Sequence, residues 1–152
     1  YVQAFTANKI RKFKVEDTAI VSLVFKSGAL CTLNISDTIV APWSYELTAG
    51  ENPAYPITNQ SAYMIGGTKG SLQFPNLKNW SYKKERSWWN KILVKEDKNK
   101  KDDNTLVNQI NHFADVIAKK SKPKVNGNDG LISLKIFAAI TKSSKTGKKI
   151  KV

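Results

Sequence analysis

The sequence predicts an α+β fold, a mainly antiparallel open β-sheet with helices packed on one face. Three observations carry this. The first half holds short runs in which apolar and polar residues alternate between turn residues, the pattern of half-buried strands. The second half repeats its apolar residues at helical spacing. Strands come first and helices last, without the strand–helix–strand alternation that builds parallel sheets.

Taken in order, Tyr1, Gln3 and Phe5 alternate with Val2, Ala4 and Thr6, a strand already under way where the chain begins. No methionine stands there, so a piece of a longer protein is expected. Residues 17–26 (DTAIVSLVFK) form the next strand, Ser27-Gly28 supplies a tight turn, and residues 29–36 return as the second arm of a hairpin. Ala29, Cys31, Leu33 and Ile35 share one face, matched by Ala19, Val21, Leu23 and Phe25 on the first arm. Ile20 and Val24 make the other face of that arm apolar as well, which predicts self-association through the sheet. Residues 45–48 (YELT), 61–66, 71–74, 79–83 and 91–96 read as further short strands at hairpin spacing.

From residue 103, Leu106, Val107, Ile110, Phe113, Ala114, Ile117 and Ala118 fall on one face of a helix. Asp103 or Asn104 is suited to cap its N-terminus, Lys119, Lys120 and Lys122 suit its C-terminal dipole, and Pro123 is expected to stop it. A second helix opens near Asp129 and ends at Gly147. Apolar residues cover most of its circumference, leaving a polar strip at Lys135 and Lys142. It should therefore lie deeper than the first helix, with Ile136 and Phe137 in the core. No repeat or long linker divides the chain, so residues 1–152 are read as one domain.

The formal charge is +13, from 25 Lys and Arg against 12 Asp and Glu. Arg11 and Arg86 are the only arginines, however, and the lysines are scattered over loops and helix ends, including 95–101, 119–124 and 142–151. Nucleic-acid recognition favours the planar fork of arginine, so the simpler reading is a solvated surface with no nucleic-acid partner. No apolar run approaches the roughly 18 residues of a membrane span, and no signal-peptide pattern opens the sequence, so a cytoplasmic protein without a membrane partner is expected. The single cysteine, Cys31, sits within a strand pattern as a core residue.

The glycines at 66, 67 and 70 beside Lys69 invite a phosphate-loop reading, but neither G-x-x-x-x-G-K-[ST] nor G-x-G-x-x-G fits. A strand ending in proline follows where those motifs need a helix, so a hairpin turn with glycines at positive φ is predicted. His112, the only histidine, falls nearly opposite the apolar stripe of its helix and should be exposed. No cluster with metal-ligand spacing surrounds it. Residues 38–60 gather Trp43, Tyr45, Tyr55, Glu46 and Glu51 on one long connection. Rings beside carboxylates suit sugar-like ligands, which makes Trp43, Tyr55 and Glu46 the candidate substrate-binding residues; sealing the end of the core is the structural alternative. Residues 86–90 (RSWWN) form a second aromatic cluster, expected at a sheet edge or interface.

Three segments, VEDTAIVSLVFKSGALCTLNISDT, IGGTKGSLQFPNLKNWSY and NQINHFADVIAKKSKPKVNGNDGLISLKIFAAITKSSKTGKKIKV, resemble the C-terminal domain of the glucose–fructose oxidoreductase and inositol dehydrogenase family, known as Gfo/Idh/MocA. The resemblance covers nearly the whole chain. It implies an NAD(P)-dependent dehydrogenase of a sugar, cyclitol or related polyol, with NAD or NADP on an N-terminal Rossmann domain absent from this chain. The family's Glu-Lys-Pro motif and its early Asp…His pair are missing here, so no catalytic residue carries over, and the fragment alone is expected to be inactive and to bind no cofactor. What remains is the substrate pocket and a homo-oligomer interface through the sheet. Two rival readings stand beside it: a stand-alone lysine-rich binding module for nucleic acid or an acidic partner, and a non-enzymatic assembly domain.

Overall fold

A computed structural model describes residues 1–96 and 104–152. The chain forms two units, residues 1–40 with 121–152, and residues 41–120.

In the first unit, β1 (Val2–Ala7), β2 (Thr18–Val24) and β3 (Leu30–Ser36) form an antiparallel sheet in that order. The register aligns Ala4 with Val21 and Val21 with Leu33, so one row of small and branched residues shares a face. Val2, Ala4 and Val21 are buried there against Ala139 of α3 (Gly127–Thr146), with Ala19, Leu23, Leu33, Ile136 and Ile140 packed around them. The alternation expected of the hairpin is observed through Ala19, Val21, Leu23, Cys31 and Leu33, whereas Phe25, Ala29 and Ile35, expected on the same face, are exposed at the hairpin's two ends. Its turn puts Gly28 at φ +88°, a conformation glycine adopts without steric cost, and Phe25 N–H donates to the Ala29 carbonyl at 3.0 Å. On the opposite face of the sheet Phe5, Ile20, Val24 and Leu30 are exposed.

The sequence of α3 explains both of its ends. The Asn126 side chain accepts from the N–H groups of Asn128 and Asp129, while the Asp129 carboxylate accepts from Asn126 N–H at 2.9 Å, a reciprocal cap. Gly147, at φ +67°, closes the C-terminus as expected. Ala139 and Ser143, one turn apart, are its buried residues. The free edge of β1 meets this helix end: Ser143 Oγ accepts from Ala4 N–H at 3.0 Å and donates to the Lys148 carbonyl at 2.7 Å. Val2 and Ile150 exchange two backbone bonds of 2.8 Å beside them. One expectation fails here. Phe137 is 67 % exposed, because it stands two residues from Ala139 and therefore roughly on the far side of a helix with 3.6 residues per turn; Ile136 is half-buried.

In the second unit, β4 (Tyr63–Gly66), β5 (Ser71–Phe74), β6 (Lys78–Tyr82) and β7 (Ile92–Glu96) form an antiparallel meander, preceded by α1 (Tyr45–Ala49) and followed by α2 (Thr105–Ile117). Residues 45–48, expected as a strand, are the helix α1. Ser44 enters it with extended backbone, Thr48 N–H donates to the Ser44 carbonyl at 3.0 Å, and Gly50 ends it at φ +67°. A side chain on Gly50 would also place its Cβ 3.0 Å from Ile57 Cδ1.

Asn104 caps α2 through Leu106 and Val107 N–H, whereas Asp103 and residues 97–101 of the lysine-rich run lie outside the described residues. The helix ends before Pro123: Ala118 is its C-cap, Lys119 turns to φ +57°, and Lys120 N–H reaches back to the Asp115 carbonyl at 2.8 Å. Its apolar stripe, Leu106, Val107, Ile110, Phe113 and Ile117, is exposed, and the half-buried positions are His112 and Val116. That is the reverse of the expected phase. Periodicity marks which residues share a face and leaves open what covers it.

Candidate functional site

Residues 38–60 do not behave as one loop. Thr38 belongs to the first unit, where its hydroxyl lies 3.0 Å from Ser36 Oγ and 3.3 Å from Thr18 Oγ1. The part from residue 41 belongs to the second unit and closes on itself around α1. Thr58 N–H donates to the Leu47 carbonyl at 2.8 Å, and the Thr58 hydroxyl donates to the Pro42 carbonyl.

This closure places Tyr45 over the first β4–β5 residue pair. Tyr63 and Phe74 are cross-strand partners, and both rings lie about 6 Å from the Tyr45 ring: 5.9 Å and tilted for Tyr63, 6.0 Å and near-parallel at 17° for Phe74. The third side of the triangle, Tyr63 to Phe74, is 6.0 Å. These separations suit favourable offset and edge contacts. The Tyr45 hydroxyl donates to Glu51 Oε1 at 2.8 Å, just beyond the helix end set by Gly50. That bond to Glu51, with partial burial and the Glu51 charge, raises the Tyr45 pKa above its ordinary value of 10.0, so the phenol stays a hydrogen-bond donor at neutral pH. Glu51 Oε2 makes no hydrogen bond to a described residue and is available to accept from a ligand hydroxyl.

Trp43 and Tyr55 are each about half-exposed, and Glu46 is exposed in the first turn of α1. Among the described residues, neither Trp43 nor Tyr55 stacks on another ring. The three candidates named from sequence thus share a segment, while the cluster it builds is Tyr45, Tyr63, Phe74 and Glu51. Sequence reasoning missed the role of Tyr45 because it placed that residue in a strand. The signal that would have revealed it is Gly50 directly after Tyr-Glu-Leu-Thr-Ala, a helix stop that brings Glu51 back toward the first turn.

The glycine-rich stretch joins β4 to β5 as a tight turn, with Gly67 N–H donating to the Gly70 carbonyl at 2.8 Å. Its turn role was expected; positive φ was not found, for among the described residues only Gly28, Gly50 and Gly147 are glycines of that kind. Crowding is the physical reason for at least one of them. A Cβ on Gly70 would stand 2.7 Å from the Trp80 carbonyl of β6. The turn offers no cradle for a dinucleotide phosphate, since its N–H is used internally and a strand follows. The N-termini of α2 and α3 are likewise capped by their own Asn104, Asn126 and Asp129.

Outside this cluster, Asp17 organises the start of the first sheet. Its Oδ2 accepts from Ile10 and Arg11 N–H, both at 3.0 Å, and Arg11 pairs with Asp37 at 2.7 Å. The Arg11 N–H bond foremost, together with that from Ile10, holds the Asp17 carboxyl below its ordinary 3.8 against the opposing effect of burial. Lys135 and Lys142, the expected polar strip of α3, line a cavity of about 410 Å³ together with Ala139 and Ile150. Among the described residues no group of three or more His, Cys, Asp or Glu is placed to hold a metal ion, and no helix is long and apolar enough to cross a membrane.

The family model described as an oxidoreductase family, C-terminal alpha/beta domain, matches residues 1–152. No curated protein matches the chain. Among solved structures, the chain is similar to an oxidoreductase from Agrobacterium radiobacter determined in complex with NAD+, L-tartaric acid and magnesium. The TM-score is 0.63 at 14% identity, over 99% of this chain and 42% of that one. The likeness is one of fold, and the chain spans less than half the length of that enzyme.

Proposed function

This chain belongs to the Gfo/Idh/MocA oxidoreductase family as its C-terminal alpha/beta domain, and on that premise we propose that it supplies the substrate-binding surface of an NAD(P)-dependent enzyme acting on a sugar, cyclitol or related polyol. The observation that carries the proposal is the Tyr45–Tyr63–Phe74 cluster with Glu51 hydrogen-bonded at its rim. Aromatic faces cover the C–H surfaces of a polyol, and a carboxylate oxygen accepts from its hydroxyls. Trp43 and Tyr55, half-exposed on the same segment, extend the apolar contact, and Glu46 adds a second acceptor.

The cofactor belongs, in this reading, to a dinucleotide-binding domain of the full-length protein; the tight Gly67–Gly70 turn and the side-chain caps on α2 and α3 support that placement. The NAD+ and L-tartaric acid held by the Agrobacterium oxidoreductase support nicotinamide-linked chemistry on a hydroxylated substrate. The fragment alone is proposed to be inactive. The exposed outer face of the first sheet, with Phe5, Ile20, Val24 and Leu30, is proposed to pair with a second copy; light scattering on wild type and Ile20→Lys tests this, and equal masses for the two would count against it.

The substrate assignment is tested by steady-state kinetics of the full-length enzyme. Glu51→Gln and Trp43→Phe are expected to raise KM for the polyol and to leave the melting temperature nearly unchanged. Unaltered KM in both variants, or loss of several degrees of stability with normal kinetics, would make these residues structural and place the pocket elsewhere.

A further inference from the structure

The connection between β6 and β7, residues 83–91, is the most unusual exposed segment of the second unit. Trp88 is 95 % exposed and Trp89 is 87 % exposed. The segment is nevertheless held in shape. Asn90 N–H donates to the Ser87 carbonyl at 3.2 Å, the Asn90 side chain donates to the Glu85 carbonyl at 2.9 Å, and Trp89 N–H donates to Ser87 Oγ at 3.2 Å. A cavity of about 460 Å³ opens beside it, lined by Tyr82, Arg86, Ser87 and Trp88. That volume lies within the roughly 300–1,000 Å³ usual for small-molecule sites.

The chemistry of this lining is one-sided. Arg86 is one of two arginines in a lysine-rich chain; Arg11 is committed to Asp37, whereas the Arg86 guanidinium makes no hydrogen bond or ion pair with a described residue. Arg86 lines the cavity, and its planar fork of donors is not spent on a described residue. Ser87 Oγ already accepts from Trp89 N–H, which leaves its own hydrogen to donate. Tyr82 adds a phenol and Trp88 an open ring face. Among the described residues no carboxylate lines the cavity, and on the same connection Lys83, Lys84 and Lys91 outnumber the one acid, Glu85, so the local potential is positive. A fork of donors fits an oxyanion with two parallel bonds, a match that lysine ammonium groups do not provide. A ring face beside hydroxyl donors fits the carbon chain and oxygens of a polyol.

We propose that this cavity binds an acidic polyol, with Arg86 gripping its oxyanion, Ser87 and Tyr82 meeting its hydroxyl oxygens, and Trp88 covering its C–H face. The oxyanion is a carboxylate or a phosphate ester. The binding site does not rest on the function proposed above, because its lining stands on a different connection from the Tyr45–Glu51 cluster.

Titration calorimetry on this chain, without cofactor, keeps the two apart. The probes are D-gluconate, D-glucose 6-phosphate and neutral D-glucitol. A one-to-one isotherm is expected with at least one of the two anions and none with glucitol. Binding of gluconate alone assigns the carboxylate, and binding of the sugar phosphate alone assigns the ester. Arg86→Gln is expected to weaken the anion by about tenfold or more, Trp88→Ala to weaken it as well, and Arg86→Lys to restore only part of the loss. Lys84→Gln, a charge control on the same connection, is expected to change affinity by less than about twofold. Circular dichroism checks that each variant keeps its fold. Absence of binding by both anions, glucitol binding as tightly as gluconate, or equal losses in Arg86→Gln and Lys84→Gln would overturn the site. Any of those results leaves turnover of a neutral polyol by the full-length enzyme untouched.

Discussion

Replacing Ser143 with alanine tests how the first unit is tied together. The residue is 0 % exposed and bridges β1 and the segment after α3, accepting from Ala4 N–H at 3.0 Å and donating to the Lys148 carbonyl at 2.7 Å. Ser143→Ala removes both bonds. Lys148 is exposed, so its carbonyl regains a bond to water at little cost. Ala4 is 1 % exposed, and its N–H points away from β2 into the helix, where it is left without a partner. A buried donor orphaned in this way costs about 1–3 kcal/mol. Alanine returns a few tenths of a kcal/mol through its higher helix propensity, a gain shared by the control Ser144→Ala, whose hydroxyl donates to the Thr141 carbonyl at an exposed position. The difference between the two variants is therefore expected near 2 kcal/mol, equivalent to about 4–8 °C in melting temperature for a chain of this size. Urea melts followed by circular dichroism supply the measurement, with amide exchange at Ala4 reporting the bond itself. If the two variants agree within about 0.5 kcal/mol and Ala4 exchange is unchanged, the Ser143 bridge contributes nothing and the reasoning is wrong.

Val21→Ala, at a fully buried position of β2, is expected to cost about 1.5–3 kcal/mol, whereas Phe137→Ala should stay within about 0.5 kcal/mol because the ring is mostly exposed; denaturant melts that reverse this order would refute the packing described for α3. Asp17→Asn should lower stability near neutral pH, where the ionised carboxylate accepts two N–H bonds. Since its folded pKa lies below 3.8, that contribution is complete above 3.8 and is lost as the pH falls through the lower folded value, so the gap between wild type and Asp17→Asn should narrow on acidification below 3.8. A gap that stays constant through that range would show that the carboxylate charge is irrelevant. Gly70→Ala should destabilise the β4–β5 turn, because its Cβ has the β6 backbone in its way; melts matching wild type would show that the turn can shift freely.

The sheet was legible where the physics is local. Alternation along β2 and β3 identified the face that packs on α3, since successive strand residues point to opposite sides. Gly28 and Gly147 announced a turn and a helix end, as both hold backbone conformations that other residues resist. Tyr45–Ala49 was misread because five residues are too few for a helical period to show, and Tyr and Thr favour strands. The buried faces of α2 and α3 were misjudged for a different reason. Phe137 and the α2 stripe count as apolar in any pattern, while burial depends on which neighbours tertiary structure brings, and Ser143 is buried through its hydrogen bonds rather than its hydropathy. At the site, the segment holding Trp43, Tyr55 and Glu46 was found from its composition. The Tyr45–Glu51 bond and the Tyr63–Phe74 platform depend on long-range pairing that no local pattern records.

The proposal that this domain serves an NAD(P)-dependent polyol oxidoreductase is tested most directly by the absorbance of reduced nicotinamide. The full-length protein is mixed with NAD+ or NADP+ and a panel of sugars, cyclitols, polyols and their acids. Substrate-dependent formation of NADH or NADPH is predicted for at least one member, with KM raised by Glu51→Gln. No reduced cofactor with any member of the panel would contradict the account, as would turnover whose KM is indifferent to Glu51.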